Sequence, residues 1–329
     1  MRRVPSVDLL RVAVVLVIVY RHTYPVGDGV QSILLTGSVP FFFFLTGWLW
    51  RPSKRSWREE VSTRTKSLAY PYVSWLLLIA AVYAAGTAVT GSLDLSGILN
   101  GFLGGTYAGR PFSTFWFISV LFLVATLGRA IDAWPLRLQA VIGISAVCIA
   151  GFFGEQMALV PLAFGLALPC MFFMIAGRIL RRLLPESGLP VSLAAVALWL
   201  LISIAAPWLG YMDIKNGEFG VPFFSALSAV AMAWASIVLL NTVLGLFPRL
   251  SNVIAPTAAR LTSVSIAVVL AHPLALYLLR APNQGAPLWA FLLAAVVPWA
   301  GALLVARSPL STALIGTRQR SREKPLSLP

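Results

Sequence analysis

The sequence predicts an all-α, polytopic integral membrane helical bundle of about ten transmembrane helices, and three observations carry that prediction. The 329 residues are 59% hydrophobic and only 11% charged, against about 25% charged in a soluble domain. The mean hydropathy is +0.85. Apolar runs of about twenty residues, the length that crosses a bilayer as a helix, recur along the whole chain. So few charges do not cover a water-facing surface, which excludes a soluble protein. Eleven Trp and nineteen Phe supply too much apolar surface for a disordered chain. Cys148 and Cys170 lie inside apolar runs, where free cysteine packs as a small hydrophobe, so a disulfide scaffold is excluded. With two His and two Cys in all, a dense zinc site is excluded too, and no metal is expected.

Spans are expected at 7–24, 31–50, 69–89, 113–128, 138–154, 158–178, 190–209, 221–243, 262–280 and 286–306. Glycine and proline mark the turns, as in Pro185-Glu186-Ser187-Gly188. The least marked boundary separates the fifth and sixth spans, where Gly154-Glu155-Gln156 is nearly the only polar break. No repeat and no convincing duplication of halves is visible. Residues 1–310 therefore read as a single membrane domain and 311–329 as a short basic cytoplasmic tail. No small-residue cleavage site follows the first apolar segment, which reads as an uncleaved span.

The net charge of +14 would suggest nucleic acid in a soluble protein. Its distribution gives another cause. With a cytoplasmic N-terminus, twenty of the 25 Lys and Arg fall in inner segments, among them Arg2, Arg3, Arg51, Lys54, Arg55, Arg58, Arg64, Lys66, Arg129, Arg178, Arg318, Arg320, Arg322 and Lys324. Only Arg21, Arg110, Lys215 and Arg280 fall in outer ones. Basic residues accumulate on the cytoplasmic side of membrane proteins, so this bias predicts a multi-pass protein of the cell membrane with both termini inside. Lipid is then a partner, and no nucleic acid is needed.

Ionisable residues within a span are functional candidates by default. The first span holds three, Asp8, Arg11 and His22. Asp8 and Arg11, three apart, can pair on a helix. Arg11 and His22 are eleven residues apart; that many steps of about 100° return to one face, with about 16 Å between them along the axis. A polar stripe thus runs from a cytoplasmic cation to an extracytoplasmic imidazole. The plainer reading has Arg11 snorkelling to the inner interface and His22 capping the outer end.

The residues accompanying this stripe resemble the acyltransferase-3 family of membrane acyltransferases, particularly its sugar O-acetylase-like branch. Val7-Asp8-Leu9-Leu10-Arg11 followed by His22 is similar to the family's Asp-x-x-Arg and Arg-x10-His pattern. Val39-Pro40-Phe41-Phe42-Phe43-Phe44-Leu45-Thr46-Gly47 resembles its aromatic second span, with Thr46 where the family has Ser. Arg64-Thr65-Lys66-Ser67-Leu68-Ala69-Tyr70-Pro71-Tyr72 resembles the basic entry to the third span, and Phe115-Trp116-Phe117-Ile118 the start of the fourth. Leu168-Pro169-Cys170-Met171-Phe172-Phe173, with Gly177-Arg178, is similar to a later element, and Leu270-Ala271-His272-Pro273 to the histidine-containing ninth span. These elements fall in order over residues 5–280.

The resemblance implies transfer of an acyl group, usually acetyl from acetyl-CoA (acyl-CoA as donor substrate), to a hydroxyl of a cell-envelope glycan or lipid-linked sugar. A sugar hydroxyl needs a base near neutral pH, and histidine suits that role. His22 is the candidate base, with Arg11 a partner for donor phosphate and Asp8 holding its guanidinium. The inner basic segment 51–66 offers a cationic entrance for CoA, with Arg64 and Lys66 as contacts, although topology alone also explains a basic inner loop. His272 is either a second catalytic or substrate-binding group or a structural histidine bonded to a neighbouring helix. Trp116 either shapes the acceptor pocket or anchors the interface. The glycine-rich segment 91–112 covers the acceptor or simply connects two spans. Transfer is completed by the chain alone or with a separate extracytoplasmic partner enzyme. The rival reading is a transporter or flippase for an envelope precursor, which predicts repeated halves and helices broken near the midplane.

Overall fold

In a computed structural model of the chain, residues 4–316 are described, apart from 25–28, 53, 90, 185–187, 211 and 283–285. The charges at Arg2, Arg3, Asp28, Glu186, Arg318, Arg320, Arg322, Glu323 and Lys324, and the turn at 185–187, lie outside the described residues.

Each expected span falls on helix, and the described residues contain no strand. In chain order the helices are α1 (Pro5–Thr23), α2 (Gly29–Trp48), α3 (Trp57–Arg64), α4 (Tyr70–Val89), α5 (Leu95–Leu103), α6 (Phe115–Ala130) and α7 (Leu136–Ala158). After these come α8 (Ala167–Leu183), α9 (Leu189–Ala205), α10 (Phe224–Leu246), α11 (Pro248–Ser263), α12 (Ser265–Leu278), α13 (Leu288–Val305) and α14 (Ser311–Ile315). Among the described residues six helical stretches are long and apolar enough to cross a membrane, and a seventh if α11 and α12, bent by 66° at Val264, count as one broken span. The chain is a multi-pass membrane protein.

α8 is the most enclosed of these, with 67% of its apolar window buried, and α10 is next at 50%; the Trp57–Val89 rod, α7, α9 and α13 have 17–28% and form the outer ring. Without a hydrophobic drive between helices in lipid, close packing decides which of them associate. At the centre α2 crosses α8 at backbone contact. A Cβ on Gly47 would stand 1.7 Å from the Met174 carbonyl oxygen, and one on Gly177 would stand 2.2 Å from that of Phe44. Phe41, Phe43 and Phe44, between Pro40 and Gly47 on α2, are almost completely buried.

Three helices occupy stretches expected to be connections. α3 lies in the basic segment 51–66, and its signal was local: Ser56 and Glu59 form a capping box, each side chain bonding the other's backbone N–H. A π-helical turn, Thr65–Ala69, joins it to α4 and carries the exposed Lys66. α5 lies within 91–112. Asp94 caps it, accepting from the Gly97 N–H at 2.9 Å and the Tyr83 hydroxyl at 2.5 Å; those bonds, Tyr83 foremost, hold its carboxyl down at about 2. Its glycines mask it in the sequence, yet Gly101 is where the Phe112 ring packs. α11 is amphipathic and turns the chain into α12.

The fifth span breaks where the polar residues suggest: α7 is kinked at Phe153 (φ −122°, ψ 16°), and a further helical stretch carries it through Gly154-Glu155-Gln156 to Ala158. A 3-10 segment at Pro161–Leu166, with Leu162 and Ala163 at positive φ, then precedes α8. Gly154 is retained for packing, since a Cβ there would meet the Gly217 carbonyl oxygen at 2.0 Å. Residues 311–315 of the expected tail form α14 against α4, where the Trp75 indole donates to the Leu314 carbonyl at 2.9 Å. Cys148 and Cys170 are free thiols, Cys170 fully buried.

If the α2–α8 crossing organises the bundle, adding one methyl to it is costly. Gly47→Ala should lower stability by about 1–3 kcal/mol or more, whereas Gly301→Ala, with open space around it, should change it little. Thermal unfolding of both variants in the same detergent checks this.

Candidate functional site

At one end of α1, two histidines distant in sequence meet. His22, on the last turn of α1, and His272, on α12, stand edge to face with ring centroids 4.9 Å apart. The sequence of α12 explains how His272 is presented. Pro273 has no N–H, so the Val269 carbonyl four residues earlier lacks its usual helical donor. The Thr114 hydroxyl, at the start of α6, donates to that oxygen at 2.8 Å. His272 itself places Nδ1 3.0 Å from the Val268 carbonyl; a carbonyl accepts only, so Nδ1 carries the proton and Nε2 keeps its lone pair. Among the described residues Nε2 is buried with no partner, and His272 is 0% exposed. A buried acceptor without a donor is costly unless a ligand completes it.

His22 is half-buried, and its Nδ1 lies 3.4 Å from the Ser113 hydroxyl. The carbonyls at a helix C-terminus lack intrahelical donors, and Arg110 supplies them here. Its guanidinium donates to the His22 carbonyl and, at 3.0 Å, to the Ala281 carbonyl beyond α12. One side chain thus clasps the ends of the two helices that carry the histidines. Burial lowers the Arg110 guanidinium below its ordinary range, and burial also lowers Lys215, with Asp213 opposing.

The other expected residues fall elsewhere. Arg11 lies toward the opposite end of α1, with Asp8 and Arg64 as its electrostatic neighbours; Asp8 and Arg11 are not among the ion pairs of the described residues. The Asp8 carbonyl accepts from Thr262 of α11 at 2.9 Å. Trp116 is buried on the first turn of α6 against Phe117, and among the described residues it makes no ring contact with either histidine. His22 and His272 are therefore brought together, whereas Arg11, with Arg64 as an electrostatic neighbour, lies toward the opposite end of α1.

A second polar centre, whose charges the sequence explains only as topology, lies where α2, α3, α6, α7 and α8 end. Glu60, 1% exposed, is paired with Arg64 at 2.7 Å and with Arg55 and Arg129 at 3.5 Å. Asp132 joins Arg129 at 2.8 Å and Arg178 at 2.7 Å, and accepts from the Trp50 indole at 2.9 Å. Both arginines lie over the Trp50 ring, at 4.1 and 5.5 Å. Gln139 accepts from Arg178 at 2.8 Å and donates to the Ile131 and Trp134 carbonyls. The Arg129–Asp132 spacing was a readable signal; the convergence of residues 50, 60, 132, 139 and 178 was not.

Among the described residues no three His, Cys, Asp or Glu come together as a metal ion would require. An apolar groove of 260 Å³ runs between α4, α12, α13 and α14, lined by residues such as Trp75, Ala271, Ala275 and Gly301.

Residues 4–307 match the family model described as an acyltransferase domain, so the chain belongs to the acyltransferase-3 family and is a membrane acyltransferase. No curated protein and no solved structure matches it.

Two substitutions separate the supports of the two centres. Thr114→Val should cost about 1–3 kcal/mol by leaving the Val269 carbonyl without a donor. Asp132→Ala, which strips buried Arg178 of its acid and Arg129 of its closer one, should cost about 3–5 kcal/mol. Denaturant unfolding in mixed micelles measures both.

Proposed function

We propose that the protein is an O-acyltransferase of the sugar O-acetylase-like kind. It transfers an acyl group, acetyl in the first instance, from acyl-CoA to a hydroxyl of a cell-envelope glycan or lipid-linked sugar. The observation that carries this reading is the apposition of His22 and the unpartnered Nε2 of His272 in a chain of this family. His22 is the general base: it takes the acceptor's hydroxyl proton as that oxygen attacks the thioester carbonyl. The carbon–sulfur bond breaks, an ester forms, and the proton passes to the departing CoA sulfur. His272 receives the acceptor, its lone pair orienting a hydroxyl toward His22. Trp116, two residues beyond Thr114 on α6, belongs to the wall on the acceptor side.

The donor enters at the other end. Arg11 and Arg64, electrostatic neighbours across α1 and α3, hold its phosphates, with Lys66 on the π-helical turn at the rim and Asp8 moderating Arg11. Both termini are cytoplasmic in this reading, which the twenty-to-four division of basic residues supports. Residues 1–310 act as one catalytic membrane domain. The broken span α11–α12, a feature expected of a transporter, is used here to present His272.

Purified protein in nanodiscs, supplied with labelled acetyl-CoA and a glycan acceptor, provides the test. His22→Ala should lower kcat about 10³-fold or more while acetyl-CoA binding is retained. His272→Ala should lower acceptor kcat/KM about 10–100-fold, and Arg11→Ala should raise the donor KM. Full turnover by His22→Ala would remove the assignment of the base.

A further inference from the structure

Three of the four basic residues of the outer segments, Arg21, Arg110 and Lys215, come from separate stretches of sequence, yet the fold gathers them at one end of α1. Arg21 precedes His22 on the helix. Arg110 holds the His22 and Ala281 carbonyls, and Ala281 adjoins Arg280. Lys215 reaches across from the Ile214–Asn216 turn to the Ala108 carbonyl at 2.7 Å, two residues before Arg110. Among the described residues the groups that act on His22 are His272, Lys215, Arg21 and Arg110, and no carboxylate is among them.

The described acids of the outer segments are engaged elsewhere. Asp94 is bound to Tyr83, Ser96 and Gly97, and Glu218 crowds with Asp213 and Glu155. Asp213 acts on Lys215 through space, but every ion pair within 4 Å among the described residues lies around Glu60 or Asp132. Among the described residues Lys215 and Arg110 thus make their hydrogen bonds to neutral carbonyls, with Asp213 acting on Lys215 only through space. An ammonium has three donors and a guanidinium five; among the described residues Lys215 uses one and Arg110 two, which leaves donors on both. Like charges gathered where solvent is scarce repel one another, and an anion relieves that repulsion. Nε2 of His272, a buried lone pair without a partner among the described residues, asks for a hydroxyl.

We infer that the acyl acceptor is anionic, a glycan or glycolipid whose phosphate or carboxylate sits against Lys215 and Arg110 while its hydroxyl reaches His22 and His272. This rests on the reading of the His22 end as the acceptor site and names the class of acceptor that end selects.

The test uses the full chain in nanodiscs and three glycosides that differ in one group: methyl glucoside, methyl glucuronide and methyl glucoside 6-phosphate. Isothermal titration gives their affinities, and labelled acetyl-CoA gives transfer to each. At least one charged glycoside should bind about tenfold more tightly than the neutral one, and the stronger of the two identifies carboxylate or phosphate as the preferred group. Lys215→Gln should cut that preference about fivefold, and Lys215→Arg should keep it, a rescue that a folding defect would not give. Equal affinities, or a preference that Lys215→Gln leaves intact, overturn the inference. Transfer to the neutral glycoside alone overturns it while upholding acyl transfer. Charge-selective binding with transfer to none of the three upholds anion selection and removes the acyl-transfer reading of this end.

Discussion

The crossing of α2 over α8 at Gly47 and Gly177 is the contact on which the rest of the bundle depends. Lipid is as apolar as leucine, so two helices associate there only if their backbones approach closely enough to pack. The glycines permit that approach, and the aromatic run Phe41–Phe44 fills the space on either side. The crossing also positions the ionic centre at its end. It brings Trp50, just past α2, beside Arg178 of α8, and so builds the surface on which Arg129 and Arg178 stack. Asp132 and Glu60 then bring α6 and α3 to the same point. A buried ionic centre of this kind contributes little net stability over an apolar packing, but breaking it leaves uncompensated charge. Its role is to hold five chain segments in one register.

The opposite end of the molecule is organised by a missing hydrogen atom. Pro273 leaves the Val269 carbonyl open, and Thr114 from another helix takes the vacant donor role. His272 immediately precedes that proline and bonds the neighbouring carbonyl, so the ring is turned by the helix that carries it. Arg110 then joins the two helix ends. The histidine pair is therefore fixed by Thr114, the Val268 carbonyl and Arg110, each bonding the helix ends or the ring itself, the kind of support that holds a site in a single geometry.

The helices were legible because apolar runs of span length are a strong signal, and the histidine of α1 was legible because a polar residue in such a run is conspicuous. His272 could be named from the sequence, but not its partner: two residues 250 positions apart reveal nothing of their contact. The capping box at Ser56 and Glu59 was readable, and it starts α3; the basic character of 51–66 obscured it. α5 was hidden by glycines that serve packing. The Glu60–Asp132 centre was hidden for a different reason. Its charges sit at helix ends, where topology already accounts for basic residues, so only the fold distinguishes a buried arginine from a solvated one.

α1 has one further consequence. It is an unbroken helix from Pro5 to Thr23, so the rise between Arg11 and His22 is fixed at about 16 Å. On the proposed reading the helix is a ruler. A donor anchored by its charged head at the Arg11 end delivers its reactive carbonyl to His22 only on an arm of that length. Donor choice would then be set by the reach of the carrier as much as by the acyl group it bears, and a small activated acyl compound without such an arm could not be held at both ends.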